Sequence, residues 1–289
     1  MRTGLEGYFP DETPDPDVVD SLTTPEALAE AEFTLHGMSL VLHYGAETLY
    51  PSHHTLIEVT CMYPDLQLWM TQAAYEQTNN ASLYSFCALT FDDGPSRTNT
   101  TNVLQSLMME GVRGTFFVIG NRISDYADLV QREHDEGHSI GAHNWHHGNV
   151  SKSKESALRQ MPSKVNKAMY KAIGTKVRYD RVPYGLYPQM IKARVGWAYI
   201  QWSLDTYDWR GRSTATIMKK IRSEAQHGDI LLMHDIKDKT PETALQAAQW
   251  MQENGFMLLT VDELFAAGGV TLEPDTVYWR CADGETGRK

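Results

Sequence analysis

Ser85-Phe86-Cys87-Ala88-Leu89-Thr90-Phe91-Asp92-Asp93-Gly94 is an apolar strand pattern that runs into two adjacent carboxylates and a glycine. The Gly94-Pro95 pair turns the chain immediately afterwards. Working outward, the same arrangement recurs. Thr115-Phe116-Phe117-Val118-Ile119 ends at Gly120, Ser139-Ile140-Gly141-Ala142 leads into His143, and Ile230-Leu231-Leu232-Met233 leads into His234. Further strands are expected at about 177–182, 197–204 and 257–261, with helices at about 98–110, 125–136, 152–172, 188–194, 213–226 and 241–254. Strands alternating with helices imply βα units and parallel pairing. About seven such units suit a closed or nearly closed barrel, whose chemistry lies at the C-terminal ends of its strands.

Ahead of this α/β unit, expected over residues 81–289, the pattern differs. Residues 1–30 read as an acidic leader rich in Pro, Asp and Thr. Residues 31–80 read as a small β-rich segment. Phe33-Thr34-Leu35-His36 and Ser39-Leu40-Val41-Leu42-His43-Tyr44 are separated by a Gly37-Met38 turn, and His54-Thr55-Leu56-Ile57-Glu58-Val59-Thr60 forms a third strand. Gln77-Thr78-Asn79-Asn80-Ala81-Ser82 is a polar linker.

Composition narrows the function classes. The 289 residues are 42% hydrophobic, enough to build a sizeable core. The formal net charge is -11, with no basic run, so the electrostatic footprint of a nucleic-acid binder is missing. Cys61, Cys87 and Cys281 are too few and too scattered for a disulfide framework or a thiolate zinc site, and Cys87 is expected to be a buried hydrophobe. No stretch approaches a membrane span, and the N-terminus lacks the apolar core of a signal peptide. The chain is therefore expected to be either cytosolic or a shortened form of an exported protein, and a monomer.

Five polar clusters follow the strands. Adjacent side chains at a strand end point in different directions, so one of Asp92 and Asp93 can bind a metal while the other faces substrate. The bland alternative is a turn pair. His143 and His147 reach one ion if their segment coils into a helical turn. Together with a carboxylate they make two nitrogens and an oxygen, a plausible catalytic zinc site with room for water. The alternative is a merely His-rich surface, since His134, His138 and His146 are nearby. Arg181 is suited to hold a carboxylate ionised, the alternative being a surface arginine at a strand end. Pro183 and Gly185 shape a turn that can present the Tyr184 backbone N–H as an oxyanion donor. Asp208 and His234 suit an acid pair, the carboxylate raising the imidazole pKa, with a helix cap or a solvated loop histidine as the alternative for His234. Trp202 and Trp209 are either core residues or sugar platforms.

With these residues in place, the chain over about 84–268 resembles the polysaccharide deacetylase family, the NodB-homology domain of carbohydrate esterase family 4. Thr90-Phe91-Asp92-Asp93-Gly94 matches its first motif. His143 to His147 match His-x-x-x-His, residues 181–185 match Arg-x-Pro-Tyr-Gly, residues 205–209 match Asp-x-x-Asp-Trp, and 232–234 match Leu-x-His. All five stand in order. The resemblance implies a distorted (β/α) barrel and a zinc or cobalt ion held by Asp93, His143 and His147. It makes Asp92 the general base held by Arg181, and His234 the general acid tuned by Asp208. Leu232 and Trp209 would line the acetyl-methyl pocket. The implied reaction is removal of acetyl groups from a polysaccharide, with peptidoglycan favoured, then chitin oligomers, then acetylated xylan. A catalytically silent sugar-binding module is the rival from another class. One departure concerns the residue after the first histidine, usually Ser or Thr in the family, which is Asn144 here; metal binding is expected to be retained.

A second resemblance covers residues 31–70. The pattern Phe33…Leu40-Val41-Leu42…Pro51…His54…Glu58-Val59…Tyr63-Pro64-Asp65-Leu66 looks like part of the accessory domain that precedes the deacetylase domain in some Gram-positive peptidoglycan deacetylases. It favours a cell-wall substrate and an extracellular or envelope location.

Overall fold

The computed structural model describes residues 16–22, 24, 27, 32–35, 39–45, 48, 50, 56–62, 85–282, 286 and 287. The chain divides into two compact units, Met1–Leu83 and Tyr84–Lys289.

In the first unit, helix α1 (Pro16–Leu22) stands within the stretch read as a leader, with Asp17 in its first turn. A carboxylate there complements the helix dipole. Strands β1 (Glu32–Leu35), β2 (Ser39–Gly45) and β3 (Leu56–Met62) form an antiparallel sheet in the order β1-β2-β3. Leu42 and Tyr44, two residues apart on β2, are both buried, as is Val59, which pairs with Leu42. The linker at 77–82, and Pro51, His54 and Tyr63 to Leu66 of the accessory-domain pattern, lie outside the described residues.

The second unit is a distorted (β/α) barrel. Its strands are β4 (Ser85–Asp92), β5 (Thr115–Val118), β6 (Ser139–Ala142), β7 (Tyr179–Asp180), β8 (Ala198–Ile200), β9 (Leu204–Asp205), β10 (Asp229–His234), β11 (Phe256–Leu258) and β12 (Val277–Tyr278). They run in the order β12-β8-β7-β6-β5-β4-β10-β9, and every pairing is parallel. β11 pairs with the first half of β4. The segment 198–205 begins beside β7 and ends beside β10, so it spans the gap between two strands that lie far apart in the sheet order and curls the sheet. β4 and β10 are buried along almost their whole length, which is why each reads as a continuous apolar run.

Helices α2 (Asn99–Met109), α3 (Ala127–Asp135), α4 (Glu155–Arg159), α5 (Met161–Ile173), α6 (Pro188–Ala193), α7 (Thr214–Glu224), α8 (Thr240–Glu253) and α9 (Val261–Ala267) connect the strands. Each longer helix turns an apolar stripe inward, such as Val103, Leu104 and Leu107 on α2, or Val165, Met169 and Ile173 on α5. The long helix expected over 152–172 is instead split at Gln160 into α4 and α5. Pro162 lacks an N–H and would clash with the carbonyl four residues back, but it suits the first turn of a new helix. The strand expected over 197–204 is likewise broken in two, and that expected over 257–261 gives way to α9, which a Thr260–Glu263 capping box starts.

Leu89, fully buried at the centre of β4, belongs to one continuous core with Phe91, Leu104, Phe116 and Leu231. Leu89→Ala is expected to lower unfolding free energy by about 2–5 kcal/mol, measured by urea denaturation; a change within the scatter of surface substitutions would contradict this packing.

Candidate metal and acid-base site

The parallel register of β4 and β10 sets Asp92 opposite His234 at the same rim of the barrel. β6 ends one residue before His143, and β7 one residue before Arg181. Four strand ends thus deliver the polar groups to one place.

Asp92 is 3% exposed, and its Oδ1 accepts a hydrogen bond from Arg181 Nη1 at 2.8 Å. Arg181 is itself fully buried. It donates further from Nη1 to Thr90 Oγ1 (2.7 Å), from Nε to the Ile200 carbonyl (3.0 Å) and from Nη2 to the Gln201 carbonyl (3.0 Å). Its guanidinium lies 4.0 Å from the centre of the Phe117 ring. Burial opposes the guanidinium charge, and the Asp92 carboxylate answers it.

Asp93 departs from strand geometry, with φ at 76°. That left-handed turn breaks the alternation that would send its side chain away from its neighbour's. Its Oδ1 is 2.9 Å from His147 Nε2 and 3.3 Å from His143 Nε2. The three ligand atoms of Asp93, His143 and His147 all lie within 4.8 Å of one another. His143 Nδ1 is 2.5 Å from the Arg181 carbonyl. A carbonyl only accepts, so Nδ1 carries the proton and the Nε2 lone pair faces Asp93, the tautomer a metal ligand needs. Asp93 Oδ1 is buried and accepts no well-formed hydrogen bond. Lone pairs and a buried carboxylate oxygen aimed at one another fit a divalent cation between them. Burial works against ionisation of Asp93, but where protons rather than a metal ion sit on the facing Nε2 atoms the two histidines outweigh it and hold the carboxyl far below its usual range.

The His143–His147 segment is a turn rather than the helical coil the spacing suggested. Asn144 (φ 57°) and His147 (φ 53°) are both left-handed, and this is what brings the two imidazoles to 4.9 Å between ring centres. Asn is among the few residues that tolerate that conformation. Asn144 is fully buried, and its N–H donates to Asp180 Oδ1 at 2.9 Å. Asp180 has no exposed surface, and burial pushes its pKa up to about 7.

On the other side of the rim, His234 Nδ1–H donates to Asp208 Oδ1 at 2.8 Å, and its backbone N–H to Asp208 Oδ2 at 2.7 Å. Thr240 Oγ1 and the Trp209 N–H complete the carboxylate's shell. Burial disfavours the imidazolium, yet the Asp208 hydrogen bond and the charges of Asp208, Asp92 and Asp93 raise His234 to about 9. Tyr184 is 67% exposed, has φ at 60°, and sets its ring edge-on to His147 at 5.0 Å. Leu232 is buried two residues before His234, hence on the same face of β10. Trp209 is exposed, its Nε1 directed at Asp205.

The sequence reading assigned nothing to Thr90, Asp180, Thr240 or Asp235, all buried beside this site. Thr90 opens the motif that ends in the two carboxylates, and its hydroxyl links Arg181 to the Leu231 carbonyl. Asp235 is buried against Thr100 and fills the space a Gly94 side chain would need, which accounts for the glycine after the two carboxylates. His138 is structural: its Nδ1 accepts the Gly114 N–H.

The family model for polysaccharide deacetylase matches residues 83–198. The chain is 36% identical over 178 residues, 62% of its own length, to the peptidoglycan-N-acetylglucosamine deacetylase PgdA of Listeria monocytogenes, and spans 38% of that relative. It is 30% identical over 185 residues to the peptidoglycan-N-acetylmuramic acid deacetylase PdaA of Bacillus subtilis, covering 61% of this chain and 70% of that one. A family 4 acetyl xylan esterase from Clostridium thermocellum, solved in complex with a cobalt ion, superposes with a TM-score of 0.63 at 27% identity, covering 68% of this chain and 98% of that one.

His234 ties the stability of the fold to pH. Its pKa lies above the ordinary value, so the Asp208 pairing stabilises the fold fully below about 6.5 and is lost as pH rises past about 9. In the metal-free protein, an NMR titration is expected to place His234 near 9, and Asp208→Asn to lower it by about 1–3. An unchanged titration in the variant would contradict the pairing.

Proposed function

The chain belongs to the polysaccharide deacetylase family, and from that premise we propose that it is a metal-dependent hydrolase removing N-acetyl groups from N-acetylglucosamine units of peptidoglycan. The observation that carries this reading is a two-nitrogen, one-oxygen donor set lying beside a separate buried carboxylate that a guanidinium holds in place. Asp93, His143 and His147 would hold the ion, with zinc favoured over cobalt. When bound, such an ion acidifies water and polarises an acyl carbonyl.

The chain's own residues do the rest. Asp92 accepts the proton of the attacking water, and Arg181 keeps it ionised and aimed. The Tyr184 backbone N–H stands ready for the negative charge that develops on the carbonyl oxygen. His234, protonated at neutral pH through Asp208, gives its proton to the departing amine, which leaves poorly without it. Leu232 and Trp209 flank the acetyl methyl. Chitin oligomers and acetylated xylan rank behind peptidoglycan as substrates. A cell-wall substrate puts the enzyme's work in the envelope or outside the cell; among the described residues, no helix is long and apolar enough to cross a membrane.

Acetate release from N-acetylglucosamine oligomers and from peptidoglycan tests this directly. Chelation is expected to abolish release and added zinc to restore it. Asp92→Asn is expected to lower it by about 10²–10⁴-fold. Wild-type rates in Asp92→Asn, or release that survives chelation, would overturn the assignment.

A further inference from the structure

Acidic residues outnumber basic ones in this chain, 37 to 26, yet the segment that carries Asp208 is cationic. From Tyr207 to Lys220 its charged side chains are Asp208, Arg210, Arg212, Lys219 and Lys220. Asp208 is buried and taken up by His234 and Thr240, and the half-buried Asp205 and the exposed Glu224 face four cations, so the charge there is net positive.

Three of those cations converge on one ring. The guanidinium carbons of Arg210 and Arg212 lie 4.8 Å and 5.0 Å from the Tyr207 ring centre, and Lys220 Nζ lies 5.1 Å from it. Arg210 is also 4.6 Å from the Trp209 ring. Lys220 is paired with Glu224 at 2.6 Å. Among the described residues, neither Arg210 nor Arg212 has a carboxylate within 4.0 Å. Attraction to an aromatic face explains one cation at a ring. Three at one ring repel each other, and an anion among them relieves that repulsion.

The platform is held in position. Tyr207 sits at φ 58° with its N–H on Asp205 Oδ1 at 2.8 Å, and Trp209 Nε1 reaches the same oxygen at 3.3 Å. Trp209 is 44% exposed, leaving ring surface for a sugar. Trp209 and Arg210 directly follow Asp208, the partner of His234, so the patch adjoins the reaction centre.

We propose that Tyr207, Trp209, Arg210, Arg212 and Lys220 form a subsite for a carboxylate-bearing sugar next to the acetylated unit, selecting anionic glycans over neutral ones. The inference rests on the deacetylase reading and names the substrate class of that site. Peptidoglycan strands that carry no stem peptide bear such a free carboxylate on alternate sugars, whereas chitin is neutral. Guanidinium groups suit a carboxylate because they can donate two parallel hydrogen bonds to it. A cationic patch also offsets the repulsion that an acidic protein exerts on an acidic polymer.

The test compares kcat/KM for acetate release from three matched substrates: a neutral N-acetylglucosamine oligomer, peptide-free peptidoglycan strands, and the same strands with their carboxylates amidated. At low salt the wild type is expected to prefer the carboxylate strands over the amidated ones by about three- to tenfold, the range for a few exposed ion pairs. The preference should shrink toward unity at 1 M salt, where the screening length is about 3 Å. In Arg210→Gln/Arg212→Gln the ratio should fall toward unity, and in Arg212→Lys it should largely persist. Equal rates on native and amidated strands in the wild type, or an undiminished preference in the double variant, would overturn the subsite. If no substrate released acetate, the deacetylase reading would fail instead. Retardation of the two kinds of strand in affinity electrophoresis would then decide the subsite alone.

Discussion

The site depends on a guanidinium with no access to water. Arg181 reaches from the end of β7 to Asp92 and Thr90 on β4 and to the carbonyls of Ile200 and Gln201 at the end of β8. Its own carbonyl fixes the tautomer of His143. One residue thus couples the carboxylate, an imidazole and the wall of the barrel. A buried ion pair is a poor way to gain stability, since desolvating each ion costs several kcal/mol and an apolar replacement often does as well. Removing one partner is another matter, costing about 3–5 kcal/mol because a bare charge stays buried. An arrangement with that balance is explained by what it holds in place.

The same rim concentrates backbone strain. Asp93, Asn144, His147, Tyr184 and Tyr207 all have positive φ without being glycine. Conformations of this kind cost on the order of 1 kcal/mol or more each. They persist where surrounding contacts over-determine them, and those contacts are present. Asp180 takes the N–H of Asn144, and Asp205 takes the N–H of Tyr207. The turns bring Asp93 beside Asp92, which a regular strand would send to opposite faces, and set His147 beside His143 without a helix.

Much of the barrel was legible in the sequence. β4 and β10 could be read because they are covered on both sides and end in polar motifs, and the five clusters stood in order at strand ends. Other features were hidden for physical reasons. β9 is two residues long, too short to carry a period, so the break of the strand expected over 197–204 into β8 and β9 left no signal. A single proline divided what looked like one helix. The spacing of His143 and His147 suggested a helical coil, because spacing carries no information about a left-handed residue between them. Asp180 had no signal of its own, since its importance comes from the groups folding sets beside it. The cationic ring around Tyr207 was equally invisible, as Arg210, Arg212 and Lys220 meet only once the loop and α7 are formed.

The most direct test is anomalous diffraction at the zinc edge from crystals of the zinc-loaded protein. The account predicts one strong peak about 2.0–2.2 Å from a carboxylate oxygen of Asp93, His143 Nε2 and His147 Nε2, with Asp92 uncoordinated and still bonded to Arg181. A peak coordinated by Asp92, or one away from these three residues, would contradict it.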